Sequence, residues 1–434
     1  MKKTVAFYTL GCKVNQYETE AIMQKFKSCG YEIKDFDEKA DVYVINTCSV
    51  TAVADRKSRT QIRKARKTNK NAVVAVCGCY AQTHEKELRS IPEIDIVIGT
   101  AGKDKLVMLV EKKGEEKIFA VDDIMLQKTF EETFVSCHTD KTRAFMKIQD
   151  GCDNYCAYCI IPYARGHIRS RSMENIRAEA EKFVSGGYKE IVLTGIHLTS
   201  YGKETGENSI FDVIKMLHEI DGLERIRLGS LEMNERLTEL AEHSAELPKL
   251  CNHFHVSLQS GCNETLRRMG RRYTAEEYYN AVYLLKKAFP GSAITTDIMV
   301  GFPGETLEEF MQSRDFAEKV EFAKMHIFPY SVRRGTRAAK MEGQIDNSVK
   351  KDRAALMEQV NSKSINGFAR KQLGKTVSVL FEQEEDGFYT GHTTNYLKVY
   401  VKTKEKLHNI VREVKITDYM SDRLYGEFSD VKKL

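Results

Sequence analysis

The densest chemistry in the chain is the stretch GCDNYCAYCIIPYARG, where Cys152, Cys156 and Cys159 stand in C-x3-C-x2-C spacing. Three thiolates on one short loop can converge on a metal. A tetrahedral zinc site wants a fourth ligand, and His167 is close enough in sequence to supply it. A cubane [4Fe–4S] cluster takes one ligand per iron, so three cysteines leave one iron open to another molecule. Spacing alone admits both.

Three further cysteines are scattered but share a setting. Cys12 in TLGCKVN, Cys48 in INTCSV and Cys79 in CGCYAQ each lie just past an apolar run. Those runs, VAFYTL, VYVINT and AVVAVC, read as buried strands, and in an open parallel sheet the carboxyl ends of strands share the edge where ligands collect. Taken singly, each cysteine reads more often as a small buried hydrophobe. Three at equivalent strand ends point instead to a shared site. Cys77 falls inside its strand run and belongs in the core. Cys29, Cys137, Cys251 and Cys262 have no such setting and read as structural.

Eleven cysteines in 434 residues, without a secretion signal, argue against a disulfide framework and favour metal or redox chemistry. The length suits two to four domains. Net charge is +5, with 67 Lys and Arg against 62 Asp and Glu, which is compatible with a nucleic-acid partner without requiring one. No apolar run approaches the roughly 20 residues of a membrane span. The opening MKKTVAFYTLGC lacks a signal-peptide cleavage pattern. A cytoplasmic location without membrane contact is expected.

The elements that must position these cysteines alternate along the chain. The first hundred residues give four strands, the three above and IDIVIG at 94–99, with helical patterns near 15–28, 51–67, 81–89 and 103–112. That is a Rossmann-like parallel α/β pattern. Residues 113–142 read as a charged linker with at most a short strand. A second series follows, FMKIQD, EIVLTG, RIRLGS, FHVSLQS, ITTDIMVGF and MHIFPYS, with helical stretches between most of them. Six βα units suggest a partial barrel whose working edge is the carboxyl end of its strands. After a charged helix at 347–371, four strand-like runs from KTVSVLFE to NIVREVKITDY suggest a small all-β barrel or sandwich.

With Tyr158 before its last cysteine, GCDNYCAYC resembles the radical S-adenosylmethionine signature. Together with GCKVN, NTC, GCYAQ, RSR, LTG, SLQSG, GFPGET and GHTTNYLKV, it makes the whole chain similar to the methylthiotransferase family of those enzymes. The resemblance implies an N-terminal methylthiotransferase domain at 1–113, a linker at 114–138, a partial (βα)6 radical core at 139–366 and an OB-like TRAM RNA-binding domain at 367–434. GCKVNQYET resembles the branch that acts on N6-threonylcarbamoyladenosine at position 37 of tRNA, rather than the branches for isopentenyladenosine or for a ribosomal protein. His167 departs from the commoner arginine or serine of that stretch.

The resemblance further implies two [4Fe–4S] clusters, one on Cys152, Cys156 and Cys159 and one on Cys12, Cys48 and Cys79. The first would cleave S-adenosylmethionine to a 5′-deoxyadenosyl radical that takes hydrogen from C2 of the adenine; the second would carry the sulfur that is methylated and delivered there. Tyr158, Thr194, Gly195, Glu232, Gln259, Ser260, Asp297, Gly301 and Glu305 are the candidate S-adenosylmethionine contacts, with Arg271 and Arg272 beside them for a carboxylate or phosphate.

For the tRNA anticodon stem-loop, the candidates are Arg169 and Arg171 in HIRSR, Arg333 and Arg334 in SVRRGTR, and Tyr389, His392, Asn395 and Tyr396 in the terminal barrel, a mixture suited to stacking and edge contacts. The basic run DRKSRTQIRKARK could track phosphates or be a solvated helix face. A reducing protein such as flavodoxin or ferredoxin and a monomeric state complete the expectation. The reading from a different class is a non-catalytic, metal-bearing RNA-binding protein, which leaves GFPGET and the full cysteine loop without a purpose.

Overall fold

A computed structural model describes residues 2–135 and 142–429, so Cys137 lies outside the described residues. The N-terminal strands β1 (Thr4–Thr9), β2 (Glu32–Lys34), β3 (Val42–Thr47), β4 (Val73–Gly78), β5 (Ile96–Ile98) and β6 (Ile118–Ala120) form one sheet in the order β2-β1-β3-β4-β5-β6. Every pairing is parallel. Helices α1 (Lys13–Ser28), α2 (Ala52–Thr68), α3 (Cys79–Thr83), α4 (Glu85–Arg89) and α5 (Leu106–Glu111) make the crossovers. From β1 the chain runs outward to β2 and then returns past β1 to β3. The carboxyl edge therefore opens between β1 and β3, the switch point where such sheets hold ligands.

Six strands stand where four were expected. The additional two, β2 and β6, are three-residue edge strands without full burial, too short to write an apolar run. The central strands are apolar on both faces because both are covered. Tyr43, Ile45, Val74 and Val76 pack one side, and Val42, Val44, Ala75 and Cys77 pack the other. Cys77 sits in that core, as its place within the strand implies.

The central domain begins with β7 (Arg143–Lys147), followed by a short antiparallel pair, β8 (Gln149–Asp150) and β9 (Arg169–Ser170). Its further strands are β10 (Glu190–Thr194), β11 (Arg225–Leu228), β12 (Ser230–Glu232), β13 (His253–Ser257), β14 (Ala293–Val300) and β15 (Lys324–Pro329). All pairs along the arc are parallel. The third strand of the expected six is broken at Gly229: up to there it pairs with β10, whose Leu193 O accepts the Gly229 N–H at 2.8 Å, and beyond it β12 pairs with β13. Helices α6 (Ile161–Arg165), α7 (Met173–Ser185), α8 (Ile210–His218), α9 (Glu235–His243), α10 (Asn263–Met269), α11 (Ala275–Ala288), α12 (Leu307–Val320) and α13 (Asn347–Arg370) complete it.

The last domain is a closed five-stranded barrel of β16 (Thr376–Glu385), β17 (Phe388–Thr393), β18 (Lys398–Val401), β19 (Val411–Met420) and β20 (Arg423–Phe428), in the order β16-β17-β18-β20-β19. Sequence reading found four of these strands. RLYGEF, the fifth, alternates buried and part-exposed residues and closes the barrel between β18 and β19, as an OB-like fold requires. Among the described residues, no helix is long and apolar enough to cross a membrane.

The N-terminal domain docks through α1. Tyr17 and Ala21 belong to the same apolar core as the central barrel. Beside them Arg171, 1% exposed, pairs with Glu179 and Glu132, and the Tyr17 hydroxyl lies 3.1 Å from Glu179. This corrects the RNA role expected of Arg171: its guanidinium is spent inside the protein. Arg169 is likewise buried and donates to the carbonyls of Arg165 and His167. Removing one partner of a buried pair strands the other charge, at a cost of about 3–5 kcal/mol. Arg171→Ala is therefore expected to lower unfolding free energy by about that much in urea titration, whereas Arg334→Ala, at an exposed position, changes it by about 0.5 kcal/mol or less.

Candidate functional site

Cys12 is the residue at which β1 hands over to α1, Cys48 follows β3, and Cys79 is the first residue of α3 after β4. The three thiols thus stand at adjacent carboxyl ends, around the switch point. Two of the turns touch: a Cβ on Gly11 would lie 3.0 Å from Cys48 Sγ. Gly78 has φ +95°, and a side chain there would meet Asn46 Oδ1 at 2.4 Å and Thr47 O at 2.5 Å, so only glycine lets the chain bend tightly enough to present Cys79. Asn15 pins the Cys12 and Cys48 turns together, donating to Leu10 O (2.7 Å) and Thr47 O (3.0 Å).

The second thiol set lies on the loop after β8. Ala157 N donates to Met269 O at 2.7 Å and Ala157 O accepts from Ala338 N at 2.8 Å, which laces the loop to the barrel. Ile161 N–H points at Cys159 Sγ (3.4 Å), and Arg271 Nη1 lies 3.5 Å from Cys156 Sγ. His167 is engaged with Asp153 at 2.6 Å. Among the described residues, no group of three or more His, Cys, Asp or Glu is set to hold a single metal ion. Three thiols on one loop, with a backbone N–H and an arginine turned toward sulfur, are a donor set that suits an iron–sulfur cluster.

Burial governs the thiols. It pushes Cys48 and Cys152 up to about 12 and raises Cys159. Cys12 is also raised by burial, with the Arg165 charge pulling the other way. Arg165 closes α6, six residues after Cys159, and is fully buried. It donates to Asn15 Oδ1 at 2.6 Å and pairs with Glu18 and Asp150. Glu18 also binds Lys147 (2.8 Å) and Lys103, while Asp150 binds Lys147 at 2.6 Å and lies 3.8 Å from Arg169. This ionic hub ties the two cysteine sites into one body. No local motif announces it, because Glu18 and Arg165 are 147 positions apart.

The other expected residues divide. Thr194, Gly195, Glu232, Gln259, Ser260 and Gly301 fall at the carboxyl ends of barrel strands, on the rim that carries the cysteine loop, whereas Asp297, expected there too, lies within β14. Glu232 pairs with Arg271 at 2.6 Å. Gln259 adopts φ +69°, a strained conformation that two backbone hydrogen bonds to β14 hold in place. Asp297 lies 3.3 Å from His255 Nε2, and Tyr158 packs edge-on to Phe302. Arg272 is exposed. Glu305 does not reach the rim as a free carboxylate: it accepts from Gly301 N–H (2.7 Å) and pairs with Arg353 of α13 at 2.5 Å.

Among the RNA candidates, Arg334 is exposed, but Arg333 is buried against Asp55 (2.9 Å) and Ser49 (2.7 Å). Tyr389 is half-buried and packs on Phe381. His392, Asn395 and Tyr396 join the terminal barrel to the central one. His392 contacts Glu382 and Arg143, Asn395 is buried and donates to Gly291 O, and Tyr396 stacks on His392. These residues are corrected from RNA contacts to domain contacts, Tyr396 alone among the three remaining exposed. On α2, by contrast, Arg56, Lys57, Arg63 and Lys67 are exposed.

Two family models match the chain: Uncharacterized protein family UPF0004 over residues 4–99 and the Radical SAM superfamily over 146–317. A Bacillus subtilis (strain 168) protein named threonylcarbamoyladenosine tRNA methylthiotransferase MtaB is 45% identical over 424 residues, covering 95% of this chain and 93% of that one. The chain belongs to the radical S-adenosylmethionine methylthiotransferase family. An MtaB of Aquifex aeolicus is 38% identical, with 94% and 99% covered. A tRNA-2-methylthio-N(6)-dimethylallyladenosine synthase of Clostridium tetani is 34% identical, with 98% and 96% covered. In fold, the chain is similar to the radical S-adenosylmethionine methyltransferase TsrM of Kitasatospora setae, at TM-score 0.55 and 14% identity over 78% of this chain and 77% of that one.

As a radical S-adenosylmethionine methylthiotransferase, the protein uses S-adenosylmethionine and a [4Fe–4S] cluster, which the Cys152 loop fits. Because burial holds Cys48 and Cys152 protonated at neutral pH, the iron-free chain should alkylate there at least about tenfold more slowly than at exposed Cys29. Loading iron must expel those protons. Labelling followed by peptide mass spectrometry at pH 7.5 checks this; equal rates at all three positions would contradict it.

Proposed function

We propose that the chain is a tRNA methylthiotransferase acting at C2 of N6-threonylcarbamoyladenosine at position 37, beside the anticodon, with two [4Fe–4S] clusters. The observation that carries this reading is the pair of three-thiol sets, each at the carboxyl edge of its own parallel sheet and both clamped by Arg165. The names borne by the 45% and 38% identical relatives support the substrate. When bound, the clusters with S-adenosylmethionine supply reductive sulfonium cleavage, a radical at the adenine carbon and the methylthio group.

The chain's own residues supply position and dryness. Cys152, Cys156 and Cys159 hold one cluster; Cys12, Cys48 and Cys79 hold the other. The rim of Thr194, Gly195, Glu232, Gln259, Ser260 and Gly301, with Asp297 inside β14 and Tyr158, offers the polar groups to orient S-adenosylmethionine, and Glu305 acts through the Gly301 turn. Arg271, between Glu232 and Cys156, fixes that carboxylate against the loop. Exposed Arg56, Lys57, Arg63, Lys67 and Arg334 offer cations for tRNA phosphates, which give salt-dependent affinity without sequence choice. A reducing protein such as flavodoxin or ferredoxin would supply electrons, in the cytoplasm.

Anaerobic reconstitution should yield about eight irons per chain, falling to about four when Cys12, Cys48 and Cys79 are all changed to Ala. That variant should still release 5′-deoxyadenosine but make no methylthio product. Nucleoside mass spectrometry of tRNA from a strain lacking the protein should show loss of the methylthio derivative of threonylcarbamoyladenosine alone. A single zinc with no cleavage would overturn the enzyme reading, and loss of the isopentenyl derivative instead would overturn the substrate.

A further inference from the structure

Along the central barrel, residues that face the helices are apolar: Ala144, Ile191, Ile226, Phe254 and Ile294 all lie in the main core. Strand alternation sends their neighbours to the opposite, concave face. There the chain places Arg143, Glu190, Arg225, Arg227 and His253. A concave face this charged is built to meet something polar.

Its charges do not balance. Glu190 accepts Arg227 through both oxygens (2.6 and 3.2 Å), with Arg143 at 3.5 Å and Arg225 at 3.8 Å. Glu382, from the terminal barrel, pairs with Arg143. The fourth cation is Lys13, the first residue of α1, next to Cys12. It is half-buried, interacts electrostatically with Arg227, Arg143, Glu190 and His253, and has no hydrogen bond or ion pair among the described residues. Four cations therefore share two carboxylates. In addition, His253 Nδ1 is a buried ring nitrogen without a hydrogen-bond partner, while Arg143 Nε meets Glu190 only at the 3.5 Å ion-pair distance. An unanswered buried ring nitrogen beside surplus positive charge marks a site for an anion.

Tyr396 covers two of these residues from the terminal barrel, with its ring 4.6 Å from the Arg227 guanidinium and 5.2 Å from the His253 ring. Lys13 approaches this group from the turn that presents Cys12, at the start of α1. An anionic substituent on a base held near that thiol set would reach Lys13 first. The threonylcarbamoyl group carries one free carboxylate, whereas a dimethylallyl group is uncharged and would leave these cations unanswered. Resting on the proposed function above, we infer that Lys13, with Arg143 and His253 on the concave face, binds the threonyl carboxylate and thereby selects this nucleoside.

The test uses the full chain with both clusters and anticodon stem-loops bearing threonylcarbamoyladenosine, its threonyl methyl ester, or isopentenyladenosine. Fluorescence anisotropy gives affinities, and steady-state product analysis with RNA in varied excess over enzyme gives kcat and KM. Wild type should bind the free acid about 10- to 100-fold more tightly than the ester, the scale of one charged hydrogen-bonded contact. Lys13→Gln should lose that factor for the acid and become indifferent to esterification, with the loss in KM rather than kcat, and Lys13→Arg should restore most of it. Iron content and far-UV circular dichroism report whether each variant folds; should Lys13→Gln fail there, Lys13→Met and the wild-type acid-to-ester ratio decide. Equal affinity of wild type for acid and ester, with turnover of the acid, overturns this inference alone. Turnover of the isopentenyl RNA but not of the threonylcarbamoyl RNA overturns the functional reading, and this inference with it.

Discussion

Glu18 is a carboxylate buried between two domains, and the arrangement of both cysteine sites depends on it. It sits on α1 of the N-terminal domain and takes Lys103 from its own domain, Lys147 from the first barrel strand and Arg165 from the helix after the cysteine loop. With Asp150 included, two carboxylates serve four buried cations, Lys103, Lys147, Arg165 and Arg169. Net positive charge without solvent is costly unless negative charge is near. Arg165 lies close enough to Cys12 to pull its raised titration back down, and Glu18 and Asp150 hold the Arg165 charge in place against burial. The hub is thus placed to favour the thiolates that cluster binding requires, since its cations would offset part of what burial costs a sulfur anion. A hydrophobic seam of equal size could join the domains but could not supply that charge.

The same logic orders the rest of the molecule. Apolar side chains of the barrel strands face the helices and build one large core, which leaves the concave face free to be polar. The terminal barrel closes one side of that face by sending Glu382, His392 and Tyr396 against Arg143 and Arg227. Its contribution to the central domain is therefore electrostatic as much as apolar, and its aromatic residues at that seam are structural before they are anything else.

Much of this was legible in the sequence where the signal is local. The cysteine loop, the three strand-end cysteines and the alternation of strand and helix are patterns of a few residues each, and fold geometry turns them into sites. What stayed hidden depends on partners far along the chain. Arg169, Arg171 and Arg333 read as surface arginines near the working edge, yet each is buried by a partner that spacing cannot reveal; Arg333 meets Asp55 across 278 positions. Edge strands β2 and β6 and the closing strand β20 lacked continuous apolar runs because they are half-covered. The letters KVN divide in the same way: Val14 and Asn15 are buried framework, whereas Lys13 is half-buried beside the charges of the central barrel.

The central claim is that the hub makes one cooperative unit of two sites from different domains. Native-state hydrogen exchange on the full chain tests it directly. Amides of the Cys12 and Cys48 turns and of the 152–165 loop should open with a common free energy, and Glu18→Gln should lower that energy for all three segments together. Independent opening of the N-terminal turns and the 152–165 loop, or a Glu18→Gln effect confined to the N-terminal domain, would contradict the account.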